Sequence, residues 1–153
     1  MRVVVASAVL ALTVFVSAAC GSSASAPQQT VDARIEGMKK LGGALKATGQ
    51  AATPAEAKAK IAEAIAFSES IVSLFPKGTG IGDAGVTKTR ALQDIWSKPA
   101  EFKASADAMT ATLKNIDAAL GTGDKAKVEA AFAEVGKSCG GCHKPFRGPE
   151  VSE

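Results

Sequence analysis

The sequence predicts an all-α domain, an antiparallel bundle of four helices, on three observations. No window alternates apolar and polar residues with the period of two that a half-buried strand requires. Four stretches carry apolar residues at alternating steps of three and four, and each is bounded by capping or breaking residues. The connections between the first and second helices and between the third and fourth are short, which sets each pair antiparallel. With 153 residues, 46% apolar and 22% charged, the chain has material for one globular core and is neither collagen-like nor wholly disordered. A formal charge of +3 is too small for a protein that binds nucleic acid by neutralising many phosphates.

Residues 1–19 read as a secretory signal peptide: Met1-Arg2, an apolar run from Val3 to Val16, then Ser17-Ala18-Ala19. A run of about 14 apolar residues is shorter than the roughly 20 that span a bilayer. Cys20 follows small residues, as in a bacterial lipobox, although Ser17 stands where Leu is usual, so a lipid anchor at Cys20 is an expectation alongside plain cleavage. Residues 20–30, rich in Gly, Ser, Ala and Pro, have too little apolar surface to order themselves and read as a flexible tether. Export to the periplasm follows.

The bundle is expected over 31–147, with a tail at 148–153. Val31, Ile35, Met38, Gly42 and Leu45 give the buried stripe of a first helix over about 31–49. Thr53-Pro54-Ala55-Glu56 is a capping box with Pro at the first helical position; Ile61, Ala64, Ile65, Val72 and Phe75 follow, and Pro76 ends the second helix. Residues 76–96, with Gly78, Gly80, Gly82 and Gly85, form a long crossover of the kind that often carries function. Ser97 is the expected cap of a third helix with Pro99 in its first turn and a face of Phe102, Met109, Leu113, Ile116 and Leu120; Gly121 and Gly123 stop it. Asp124 caps a fourth, continuous helix whose stripe is Val128, Phe132, Val135, Cys139, Cys142 and Phe146.

The chemistry is concentrated in Cys139-Gly140-Gly141-Cys142-His143. C-x-x-C-H is the attachment signature of c-type haem, and with three Cys and one His in the chain its chance occurrence is about 4 in 10,000. Positions three and four apart share a helix face, so two thiols can add to the haem vinyls while the imidazole reaches iron. Gly140 and Gly141 are poor helix formers that leave no side chain to obstruct a porphyrin. A structural zinc site lacks ligands, a thioredoxin-like dithiol lacks strands, and a plain disulfide leaves His143 without a role.

At these residues the chain resembles the class II cytochromes c, which include cytochrome c prime. The resemblance covers about Val31 to Arg147. It rests on Arg34-x-x-x-Met38, on Ile95-Trp96, and on the run Val135-Gly136-Lys137-Ser138-Cys139-Gly140-Gly141-Cys142-His143-Lys144-Pro145-Phe146-Arg147. It implies one covalent haem c held by Cys139 and Cys142 with His143 as proximal iron ligand. Arg147 beside the imidazole resembles the family's Arg, and Arg34, Trp96 and Phe132 are expected in the haem environment. Homodimers are common in the family.

With one His, the sixth ligand is Met38, Met109, a Lys, or nothing. His143 lies roughly 5 Å from the end of the fourth helix, Met38 roughly 10 Å into the first and Met109 roughly 16 Å into the third, so Met38 is the better match in depth. The resemblance agrees for low-spin, methionine-ligated members, whose ligand lies four residues after an Arg. Iron held by His143 and Met38 implies an electron carrier, not an enzyme, working by outer-sphere Fe(II)/Fe(III) cycling with periplasmic redox proteins. Iron held by His143 alone implies the alternative, a haem protein that binds nitric oxide or carbon monoxide as cytochromes c prime do. Lys39, Lys40, Lys137 and Lys144 are candidates for a basic rim.

Overall fold

A computed structural model describes residues 24–150. The expected signal peptide and Cys20 lie outside the described residues. The helices are α1 (Ala26–Gln50), α2 (Pro54–Ser70), α3 (Asp94–Ser97), α4 (Pro99–Thr122), α5 (Lys125–Ala133) and α6 (Val135–Phe146). Helix α1 packs on α2, α2 on α4, and α4 on α5 and α6, completing the expected four-helix bundle.

Helix α1 starts five residues earlier than periodicity predicts, so residues 26–30 are helix and not tether. Ser25, in extended backbone, accepts a hydrogen bond from the Gln28 N–H at 3.3 Å and donates one to the Gly85 carbonyl at 2.5 Å. Buried Gln28 accepts the Thr87 N–H at 2.8 Å. Caps and contacts with the crossover thus replace the missing apolar periodicity.

The buried stripe of α1 also differs from the expected one. Val31, Arg34, Gly37, Leu41, Ala44 and Thr48 are buried, whereas Ile35 is exposed and Met38 and Leu45 are half-buried. The capping box of α2 forms as expected, Thr53 Oγ1 accepting from Glu56 N–H and Glu56 Oε2 from Thr53 N–H, both at 3.2 Å. Past Ser70 the chain tightens into a 3₁₀ turn over Ile71–Leu74, whose three-residue repeat carries Val72 out to solvent.

Ser97 is not the cap of α4. It ends the four-residue α3, and Lys98 precedes α4 without a side-chain cap, while Pro99 occupies the first turn as expected. Gly121 lies inside α4, and Gly123, at φ +69°, supplies the left-handed residue that ends it. Asp124 Oδ1 caps α5 through the N–H groups of Ala126 and Lys127 at 3.0 and 3.4 Å. The expected single last helix is broken at Glu134, whose N–H turns back to the Ala131 carbonyl at 3.3 Å.

Two buried clusters hold the bundle. Leu41, Ala44, Ile61, Ala64, Met109, Leu113 and Ile116 join α1, α2 and α4. Ile71, Ala91, Ile95, Phe102, Ala106 and Phe146 form the other; in it Phe102 meets Phe75 and Phe146 edge-on, at ring separations of 4.9 and 5.3 Å.

Candidate functional site: a cavity between the first and last helices

Helices α1 and α6 make no close backbone contact, and between them lies a cavity of about 790 Å³, inside the roughly 300–1,000 Å³ range of ligand sites. Ile35, Met38, Gly42 and Leu45 line it. These are the residues that periodicity assigned to the core of the first helix, so that apolar stripe faces the cavity. Phe102, Ala106 and Met109 of α4 form the floor, and Ser138, Cys139, Cys142, His143 and Phe146 of α6 the opposite wall.

The motif is therefore gathered on one wall, as its spacing predicts. Cys139 and Cys142 are free, half-buried thiols. Burial pushes both thiols above their ordinary range, with the neighbouring Cys139 adding to the effect on Cys142. His143 sits at the edge, its pKa lowered first by desolvation and then by the charges of Arg147 and Arg90, which favours the neutral imidazole that ligates metals. A Cβ added at Gly140 or Gly141 would meet no protein atom within 4 Å, and neither has positive φ. Neither packing nor backbone strain within the protein calls for glycine there.

Arg34 is 4% exposed and no carboxylate of the described residues pairs with it. Its guanidinium donates to Thr79 Oγ1 (3.0 Å), the Thr79 carbonyl (2.7 Å), Thr89 Oγ1 (2.6 Å) and the Leu74 carbonyl (3.4 Å), and lies 4.4 Å from the Phe75 ring centroid. Desolvation lowers its pKa to about 10. Arg34, Lys39, Lys88, Arg90 and Arg147 all line the cavity, against one acid, Glu150. That balance suits a ligand with an apolar body and anionic substituents, such as a porphyrin bearing propionates.

Five expected residues are placed differently. Trp96 does not line the cavity; its Nε1–H donates to the Phe75 carbonyl at 2.9 Å and its ring lies against Gly80, where a Cβ would come within 2.5 Å. Phe132 packs on the α1–α2–α4 cluster instead. Lys137 is paired to Glu134 at 2.9 Å, and Lys40 and Lys144 lie outside the cavity wall, so of the expected basic rim only Lys39 faces it. Met38 and Met109 both line the cavity, but the Met109 sulfur accepts a hydrogen bond from Ser138 Oγ at 3.3 Å while Met38 packs against both core clusters. Thr79, Thr89 and Arg90 escaped the sequence reading because they lie in a crossover without periodicity; the one signal was Arg34, a charge inside an apolar stripe.

A model of the family described as Cytochrome C' matches residues 29–147. The chain belongs to the cytochrome c' family. It is 40% identical over 129 residues to the cytochrome c' of Pararhodospirillum photometricum, covering 80% of this chain and 99% of that one. The crystal structure of cytochrome c' from Rubrivivax gelatinosus superposes with a TM-score of 0.66 at 31% identity, over 79% of this chain and 96% of the other. A nitric oxide complex of a cytochrome c prime variant from Alcaligenes xylosoxidans gives a TM-score of 0.68 at 29% identity, over 80% and 97%. The cofactor of the family is a covalently attached haem c with iron, and the paired thiols, the adjacent imidazole and the apolar, basic-rimmed cavity fit it.

Proposed function

We propose that this protein binds a small diatomic gas, nitric oxide or carbon monoxide, at haem iron whose only protein ligand is His143. Cys139 and Cys142 would hold the haem by thioether bonds, and the bound iron would supply the open coordination position. The observation that carries the reading is the chemistry of the wall facing α6, where Met38, Leu41 and Leu45 present apolar side chains and no imidazole. Such a wall admits an uncharged diatomic and disfavours hydrated anions. The solved nitric oxide complex of the Alcaligenes xylosoxidans relative supports it. Arg34 would face a propionate, and Arg147 the proximal side. No substrate turnover belongs to this reading.

One observation favours the second reading: Met38 lines the same cavity as His143, from the opposite wall. A thioether bond from Met38 would close the sixth position and make the protein a carrier of single electrons between periplasmic redox partners. The ferrous absorption spectrum separates the two. High-spin iron that takes up carbon monoxide rapidly supports gas binding; low-spin iron inert to carbon monoxide overturns it in favour of electron transfer.

The proposal includes a periplasmic location, with mass spectrometry of the mature N-terminus deciding whether Cys20 carries lipid. It also includes a homodimer through α1 and α2, which sedimentation tests.

A further inference from the structure

The end of α6 that carries His143 is poorly held by its own helix. Phe146 is the one buried residue in α5 and α6, Gly140 and Gly141 are poor helix formers, and Pro145 has no N–H to donate to the preceding turn. What meets this end is the crossover, as a short antiparallel pairing of Ala91 with Arg147. Leu92 N–H donates to the Phe146 carbonyl at 3.1 Å and Gly148 N–H to the Arg90 carbonyl at 2.7 Å. The Arg90 side chain repeats the link, Nε donating to the Gly148 carbonyl at 2.8 Å and the guanidinium lying 3.7 Å from Glu150. The crossover is itself anchored on the far side of the cavity, through Ala91 N–H donating to Thr89 Oγ1 at 3.2 Å and the buried Arg34 guanidinium donating to the same Oγ1 at 2.6 Å.

We propose that Arg90 is a positioning residue: with residues 90–92 it forms a clasp that fixes the end of α6 and thereby the direction in which His143 presents its imidazole to iron. The inference rests on His143 being the proximal ligand. It does not depend on which sixth-ligand reading holds, because the clasp acts on the proximal side alone. Loosening it leaves the thioether links and the α1–α2–α4 core intact but lets the imidazole tilt or withdraw.

The test uses haem-loaded Arg90→Ala and Arg90→Lys. Lys keeps the positive charge near His143 and cannot reproduce the fixed Nε–H bond to Gly148, so a clasp effect appears in both variants and a purely electrostatic effect only in Ala. Amide exchange at Leu92 and Gly148 should quicken at least tenfold in both, with Leu113 unchanged. The iron–imidazole stretching band of the ferrous protein should shift or broaden in both, and the fraction of ferrous nitrosyl protein without an iron–imidazole bond should rise. Unchanged exchange and an unchanged band in both variants overturn the clasp; a band altered in Ala and restored in Lys overturns the positional account in favour of charge. A wild-type ferrous protein that is high-spin and still lacks the iron–imidazole band sinks the assignment of His143, and the clasp with it; in a low-spin wild-type protein the amide exchange at Leu92 and Gly148 alone decides for or against the clasp.

Discussion

The two ends of the chain are built on different physics. Helices α1, α2 and α4 carry a repeating series of buried apolar side chains, with Val31, Ile61, Leu113 and Ile116 fully enclosed. Helices α5 and α6 bury Phe146 alone, turn their thiols and imidazole toward a cavity, and are secured by an aspartate cap, hydrogen bonds to the crossover and contacts of half-buried Val135, Phe132 and Cys139 with the main core. The first region is ordered by transfer of apolar surface from water. The second presents reactive groups to a cavity on a scaffold packed against the first region, an arrangement suited to holding a bulky apolar group.

The sharpest break between the regions comes from the thiols. Replacing both Cys139 and Cys142 by Ser should abolish covalent haem, read as complete extraction into acid acetone, whereas haem of the wild-type protein stays with the polypeptide. Freely extractable wild-type haem would refute the attachment. The next largest effect belongs to the other region. Leu113→Ala removes a fully buried side chain between α1, α2 and α4 and should cost about 2–5 kcal/mol in denaturant unfolding. Val128→Ala in α5, half-buried, should cost less than about 1 kcal/mol. Equal costs at the two positions would erase the contrast.

The same contrast explains what was legible in the sequence. The four apolar helical stretches of the bundle, the capping box at Thr53 and Glu56, the cap at Asp124 and the C-x-x-C-H face follow from interactions within four residues, so local spacing reveals them. Periodicity reports an apolar face without reporting what covers it, which is why the Ile35, Met38, Gly42 and Leu45 stripe reads as bundle core and instead lines the cavity. The break at Glu134 is marked only by Gly136 two residues on, inside an apolar spacing that runs through Val135 and Cys139. The clasp is non-local: Arg90 and Gly148 are 58 residues apart, and no pattern in either segment points to the other. Trp96 illustrates the same limit, because its indole is placed by the Phe75 carbonyl 21 residues before it.

A smaller effect probes how α5 is held. Asp124→Ala removes the carboxylate that accepts from Ala126 and Lys127, and should lower stability by about 1 kcal/mol, since exposed N-caps are worth about 0.5–2 kcal/mol. Asp124→Asn should recover most of the loss in the same unfolding measurement, because it retains the accepting oxygen. A full loss in Asn would assign the effect to charge.

The smallest expected change is the most discriminating. Met38 is half-buried, packs against both core clusters and faces the wall that carries His143, so packing and ligation predict opposite outcomes on shortening it. If iron is held by His143 alone, Met38→Ala leaves the ferrous spectrum high-spin and unshifted, and the added space raises the rate of carbon monoxide uptake without creating it. If the Met38 sulfur occupies the sixth position, the same change converts low-spin to high-spin iron, lowers the reduction potential because a thioether favours Fe(II), and produces carbon monoxide binding where there was none. Met109→Ala is the control: its sulfur accepts from Ser138 and it is 5% exposed in the main core, so it should cost stability on the scale of other buried methionines and leave the spin state alone. A spin-state change in Met109→Ala and none in Met38→Ala would move the distal ligand from α1 to α4, and with it the cavity wall at which a gas could approach iron.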